Sequence, residues 1–263
     1  MKPTWTLLAV LSLAVMPAFS QRVKPKPRPE IESGAGIGEN IISHVADGGG
    51  WKTVITVANL SQDKAAAFTL NFYGDDGNPK SFSFAGIGTG SYVTATLPVA
   101  GSIVIQTTGA GAGTQGWAQF DYSSTSDFVG GYAVFVNSNG NEAAVPFESD
   151  IAGDEVLPFD NANGYGMGVA LANSDFETVT VTATCRDENG NVLGTDAFTM
   201  ASMTHMSFIF SQRWPFTANR KGTVYFKTTD GSGSAFGLAV LGLRFTPGGG
   251  FTSVASLQAY ILD

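Results

Sequence analysis

"ADGGGWKTVITVANLSQDKAAAFTLNFYGDDGNP" (46–79) returns later in the chain as "FDNANGYGMGVALANSDFETVTVTATCRDENGNV" (159–192). Asp47 answers to Asp160, Trp51 to Tyr165, Ala58-Asn59 to Ala172-Asn173 and Gly77-Asn78 to Gly190-Asn191, at offsets of 113 or 114 residues. Two compensating single-residue indels cover the whole stretch. A repeat of this length is an entire assembly of secondary structure built twice, so it governs the reading of the fold.

Within each copy the apolar residues alternate. Val54, Thr56 and Ala58 oppose Ile55, Val57 and Asn59, and Phe68, Leu70 and Phe72 oppose Thr69, Asn71 and Tyr73. Period-two runs broken every ~8–12 residues by Gly, Asn, Asp or Pro predict short antiparallel strands. The fold expected is all-β: two tandem, internally repeated antiparallel β-sandwich (Ig-like) domains. The match continues from "TLPVAGSIVIQ" (96–106) to "TMASMTHMSFIFS" (199–211), and from "GWAQF" (116–120) to "GTVYF" (222–226). The first copy carries about ten extra residues near "KSFSFAGIGTG" (80–90), an additional strand or an elaborated loop. Only "SQRWPFTANRKG" (211–222) reads as helical, and for about a turn, because Pro215 stops anything longer. The repeats are placed at 40–150 and 151–263. Their seam falls in the short "ESDIAGDE" (148–155), so a broad, partly apolar interface is expected between them.

The first twenty residues read as a secretory signal, with Lys2, an apolar run Leu7–Val15 and a small-x-small site at Ala18-Phe19-Ser20. The mature chain is expected to begin at Gln21 and to be extracellular or periplasmic, without an integral membrane span once the signal is cleaved. Residues 21–39 then form a Pro-rich basic linker in which prolines alternate with Arg22, Lys24, Lys26 and Arg28. Setting aside Lys2, those four cations, Glu30 and Glu32 leaves nine basic and twenty acidic residues, a net charge near −11. A body that acidic excludes a general phosphate-neutralising face for nucleic acid. A single cysteine, Cys185, rules out an intramolecular disulfide and alternates with Val181 and Ala183 as a small core residue would.

The stretches "GGGWKTVITVANLS", "FYGDDGNP", "GWAQF", "VGGYAVF", "EAAVPF", "LPFDNANGYGMGVALAN", "RDENGNV" and "LGLRFTPGGGFTSV" cover most of the mature chain. With these motifs the protein resembles a group of uncharacterised, exported bacterial proteins built as tandem β-sandwich repeats. The resemblance implies architecture and export, and it carries no catalytic residues to transfer.

Candidate chemistry is sparse. The acidic stretches "GDDGN" and "DENGN" offer Asp75, Asp76, Asp187 and Asn189 as a weak calcium site. An EF-hand loop, however, needs Gly at its sixth position and Glu at its twelfth, and counting from Asp187 these are Val192 and Phe198. Asp-Gly and Asn-Gly pairs are favoured hairpin residues, and two copies of one turn are expected with no metal. "GAGTQG" (111–116) lies between two strand-like runs rather than a strand and a helix, so it reads as a loop and no dinucleotide or other cofactor is expected. His44 and His205, one per repeat, read as surface or rim histidines. Acids such as Asp47, Asp63 and Asp160 sit at turns, and no catalytic pair stands out. Most aromatics fall on alternating strand positions and are expected in the core. "QRWPFTANRK" is the exception: Arg213, Trp214, Phe216, Arg220 and Lys221 concentrate cations and rings on one loop, a candidate binding loop or a plug for the second core. The function expected is a non-catalytic exported or cell-envelope protein with an adhesion, scaffold or partner-binding role toward a protein or glycan. A carbohydrate-binding module using exposed aromatics is the alternative, and an enzyme is not expected.

Overall fold

Alternation of apolar and polar residues becomes alternation of buried and open side chains, and it does so twice. The computed structural model describes residues 40–121, 128–148, 153–229 and 237–259. The expected signal and basic linker, and half of the seam segment, lie outside the described residues. The first half contributes β1 (Ile41–Asp47), β2 (Trp51–Asn59), β3 (Ala66–Tyr73), β4 (Phe82–Phe84), β5 (Gly88–Gly90), β6 (Tyr92–Leu97), β7 (Ser102–Gln106), β8 (Thr114–Phe120), β9 (Val129–Asn137) and β10 (Glu142–Pro146). The second contributes β11 (Asp154–Asp160), β12 (Gly166–Ala172), β13 (Val179–Asp187), β14 (Val192–Met200), β15 (His205–Ile209), β16 (Lys221–Thr229), β17 (Ala239–Phe245), β18 (Phe251–Ala255) and β19 (Leu257–Gln258). The helical content expected around 211–222 is one turn, α1 (Phe210–Arg213), followed by a 3₁₀ turn, Pro215–Thr217.

The strand orders carry the repeat. In the first half the sheets run β1-β8-β3-β6 and β10-β9-β2-β7. In the second they run β11-β16-β13-β14, with β19 added beyond β11, and β18-β17-β12-β15. Counterpart strands thus hold counterpart places, every described pairing is antiparallel, and none of these sheets closes into a barrel. The extra residues of the first copy form the two-stranded β4-β5 hairpin, whose Phe82 and Phe84 enter the first core.

Each half has its own core. Ile55 and Val57 of β2 meet Phe68, Leu70 and Phe72 of β3, while Val169 and Leu171 of β12 meet Val181, Ala183 and Cys185 of β13. Each Val, Leu, Ile or Phe side chain among these contributes ~1.5–3 kcal/mol through apolar burial. The Cys185 thiol is buried as expected, and that burial, reinforced by Asp196, pushes its pKa up to about 12.

Two smaller apolar clusters join the halves, which lie within one compact unit spanning Gly36–Asp263. One unites Phe135, Ala143 and Val145 with Ala170, Leu241 and Phe251; the other unites Ile41 and Trp117 with Ala172, Met203 and Ala239. β12 therefore has work on both faces. Met167, Val169 and Leu171 fill the second core, while Gly168, Ala170 and Ala172 turn outward to the first half. This explains why "MGVALA" is buried without a break, where its counterpart β2 alternates.

The acidic stretches are the same hairpin built twice. Gly74 N–H donates to Asn78 O and Gly77 N–H to Gly74 O, as Asp187 N–H does to Asn191 O and Gly190 N–H to Asp187 O. Gly77 and Gly190 hold φ of 78° and 81°, a left-handed conformation that glycine adopts without steric cost. The Asp187 carboxylate accepts the N–H groups of Asn189 and Asn191 within its own turn. Among the described residues no group of three or more His, Cys, Asp or Glu could hold a metal ion.

Candidate functional site

The two histidines, read from the sequence as surface or rim residues, meet at the seam. His205 opens β15 and is buried, and His44 lies half-buried on β1. The correction has a local cause. β1 pairs Ile42 with Ala118 and Val45 with Gly116, so Ser43 and His44 together stand opposite Trp117 alone. Such a bulge bends the strand and re-aims the side chains at the irregularity. His44 Nδ1 lies 3.1 Å from His205 Nε2, with the rings stacked at 5.2 Å between centroids.

A polar chain continues from this pair. His205 Nδ1 is 2.7 Å from Asp75 Oδ1, and the backbone N–H of His205 also donates to Asp75 O at 3.3 Å. Gln115 Nε2 donates to Asp75 Oδ2 at 2.9 Å, and Ser207 Oγ donates to Gln115 Oε1 at 2.8 Å. Partial burial alone would raise the Asp75 pKa, but hydrogen bonds from His205 and Gln115 hold the carboxyl below its ordinary value. Burial is the main cause that lowers His44 to about 3, against the pull of Asp75, so its ring is neutral at ordinary pH.

Beside this chain lies a cleft of about 540 Å³ formed between the halves. Its walls are Trp51 and Phe135 of the first half and Phe208, Ile209, Leu243 and Phe245 of the second. Gly168 and Ala170 of β12 lower its floor, and His44, Gln115, Ser207 and Gln212 supply polar groups. A second cavity, about 440 Å³, lies around Asp75, Asp76 and Lys80 and shares Gly113, Thr114 and Gln115 with the first.

Of the loop singled out from the sequence, Gln212 lines the cleft, while the five candidate residues lie elsewhere. Trp214 is 1% exposed within the second core, and its Nε1 donates to Asp196 Oδ2 at 3.0 Å. Arg213 donates to the same oxygen at 3.0 Å and lies over the Phe198 ring at 4.2 Å. The Phe216 ring packs under Gly194, whose missing side chain leaves room for it. Arg220 is exposed, and Lys221 reaches Asp160 at 3.9 Å. Arg213, Trp214 and Phe216 are thus gathered around Asp196 and the core, and Lys221 stands apart with Asp160. The large exposed aromatics among the described residues are Tyr92, Tyr132 and Phe176, on β6, on β9 and in the segment after β12. No described helix is long and apolar enough to cross a membrane.

The sequence reading expected an apolar interface between the halves but missed the histidine pair and the cleft at it, because their members are far apart along the chain and each is unremarkable alone. The available signal was the outward side of β12, where Gly166, Gly168, Ala170 and Ala172 give small residues in place of the polar ones a solvated face carries. Comparison of the chain with protein-family profiles, with curated proteins and with solved structures gave no match.

Proposed function

We propose that this chain is an exported, non-catalytic binding protein of two Ig-like β-sandwich domains, residues 40–150 and 151–263, that takes a partner molecule into the cleft at their seam. The leader at 1–20 and the basic linker at 21–39 support export and a tethered position at the cell envelope. The observation that carries the binding role is the cleft itself: apolar and aromatic walls, a few convergent polar groups and a volume of about 540 Å³, within the range of small-ligand sites. The polar groups at its end are committed to one another, Ser207 to Gln115 and Gln115 to Asp75, an arrangement suited to recognition rather than turnover. The exposed rings stand on three separate elements, which favours this reading over a flat aromatic platform for glycans.

The test is a ligand-observed NMR screen of the intact chain against neutral small molecules, in parallel with a glycan array. Hits are expected among the small molecules and should vanish in Ala46→Phe, which fills the cleft from its lining. Glycan binding that survives Ala46→Phe, with no small-molecule hit, would sink the reading.

A further inference from the structure

We propose that the cleft takes an uncharged, largely apolar or aromatic molecule bearing a hydroxyl group, and that this hydroxyl donates to Nε2 of His44. The inference rests on the cleft being the binding site and adds what it recognises. Three observations carry it. Among the described residues no Asp, Glu, Lys or Arg lines the cleft, so a charged ligand would shed its hydration without an opposite charge to meet it. The surrounding rings offer a matching apolar surface. The third observation is the direction of the hydrogen-bonded chain behind His44.

That direction is set from Asp75. An ionised carboxylate only accepts, so His205 Nδ1 must donate to it across 2.7 Å. In a neutral His205 the other nitrogen, Nε2, is then an acceptor. With both rings neutral, the contact at 3.1 Å is His44 Nδ1–H donating to His205 Nε2. A neutral imidazole with its proton on Nδ1 carries a lone pair on Nε2. His44 lines the cleft with its Nδ1 turned to His205, so Nε2 is the ring nitrogen left for a ligand. Asp75, which does not line this cleft, thus fixes through His205 what His44 asks of its occupant. Asp75 and His205 act as positioning residues, and His44 is the contact.

The probes are 1-naphthol, naphthalene and 1-naphthoate, titrated into the intact chain in mildly alkaline buffer and followed by quenching of Trp fluorescence, since Trp51 lines the cleft. We expect 1-naphthol to bind at least tenfold more tightly than either of the others. In His44→Phe that preference over naphthalene should fall to about one, while naphthalene itself still binds. Asp75→Asn, outside the cleft, should reduce the preference severalfold, a change that a merely structural role would not produce. Thermal unfolding of each variant confirms that it is folded. Equal binding of naphthol and naphthalene by the parent chain, or an undiminished preference in folded His44→Phe, overturns the hydroxyl assignment and leaves the cleft as a site. Tighter binding of 1-naphthoate overturns the uncharged-ligand assignment. If none of the probes binds, or if Ala46→Phe leaves binding intact, the cleft itself is refuted as the site.

Discussion

β2 and β12 occupy the same place in the two halves, yet one sheet face is bare and the other is covered. On the outer face of β10-β9-β2-β7, Thr56 stands between Tyr132 and Val104, both exposed. On the outer face of β18-β17-β12-β15, Ala170 stands between Ser207 and Leu241 and is buried against the first half. In the register of the repeat, Gly168 replaces Val54 and Ala170 replaces Thr56, while Ala172 and Ala58 are alike. Removing two β-branched side chains from one side of one strand therefore separates a solvated sheet face from a docking face. The inward side of the strand, Val169 and Leu171 against Ile55 and Val57, keeps its character throughout.

The strongest way to break this comparison is Trp117→Ala. The ring is fully buried at the seam and its Nε1 donates to Met203 O at 2.9 Å across it. The change should cost ~3–5 kcal/mol in urea unfolding, from the cavity and the carbonyl left without its donor. At the counterpart position, Thr223→Ala should stay within ~0.5 kcal/mol, because no such seam is made there.

A reciprocal exchange sharpens the contrast. Ala170→Thr forces a branched, polar side chain into the docking face and should cost ~1–3 kcal/mol, whereas Thr56→Ala on the bare face should change stability by no more than ~0.5 kcal/mol. Equal effects on the two faces in chemical denaturation would contradict the account of β12 given above.

The smallest effect concerns pH. Glu148 follows β10, and its Oε2 accepts the Val240 N–H of β17 at 3.1 Å, another tie across the seam. Burial pushes its pKa up to about 7 against that N–H, with the charge of Glu155 adding to the rise. The folded state thus keeps a proton that the unfolded chain has lost above roughly pH 4.3. This group's contribution to stability falls as pH climbs from there to about 7 and then stays flat. Glu148→Gln, which still accepts from Val240, should gain ~1–2 kcal/mol at pH 8 and almost nothing at pH 4, measured by denaturation at the two pH values. Asp75 runs the opposite way. Its carboxyl is held low by His205 and Gln115, so its contribution is present at neutral pH and is lost on acidification through the folded-state pKa.

Much of the architecture was legible because strands and turns write locally. Alternation in 52–59 and 66–73 marked β2 and β3, and Gly77 and Gly190 marked two copies of one hairpin before any contact was known. What alternation cannot say is which outward face meets another part of the chain. His44 and His205 lie 161 residues apart, and the bulge that turns His44 inward depends on the pairing of β1 with β8. The first acidic hairpin shows the same limit. "GDDGN" and "DENGN" share their backbone bonds, but only the first lies against the turn at Ser202 and Met203 and lends Asp75 to a histidine of the other half. Identical local chemistry was put to two uses by tertiary position.

The separateness of the two cores bears on how the molecule comes into being. The first draws on residues 42–147 and the second on residues 157–254, so neither interleaves with the other along the chain. A chain emerging from its N-terminus can close the first core before the second has been made, as stepwise folding of successive units requires. Contacts of large sequence separation across the seam, such as Trp51 with Phe251 and His44 with His205, belong to a later docking event. The cleft is then the last feature to appear, and its presence reports that both halves have folded and found each other.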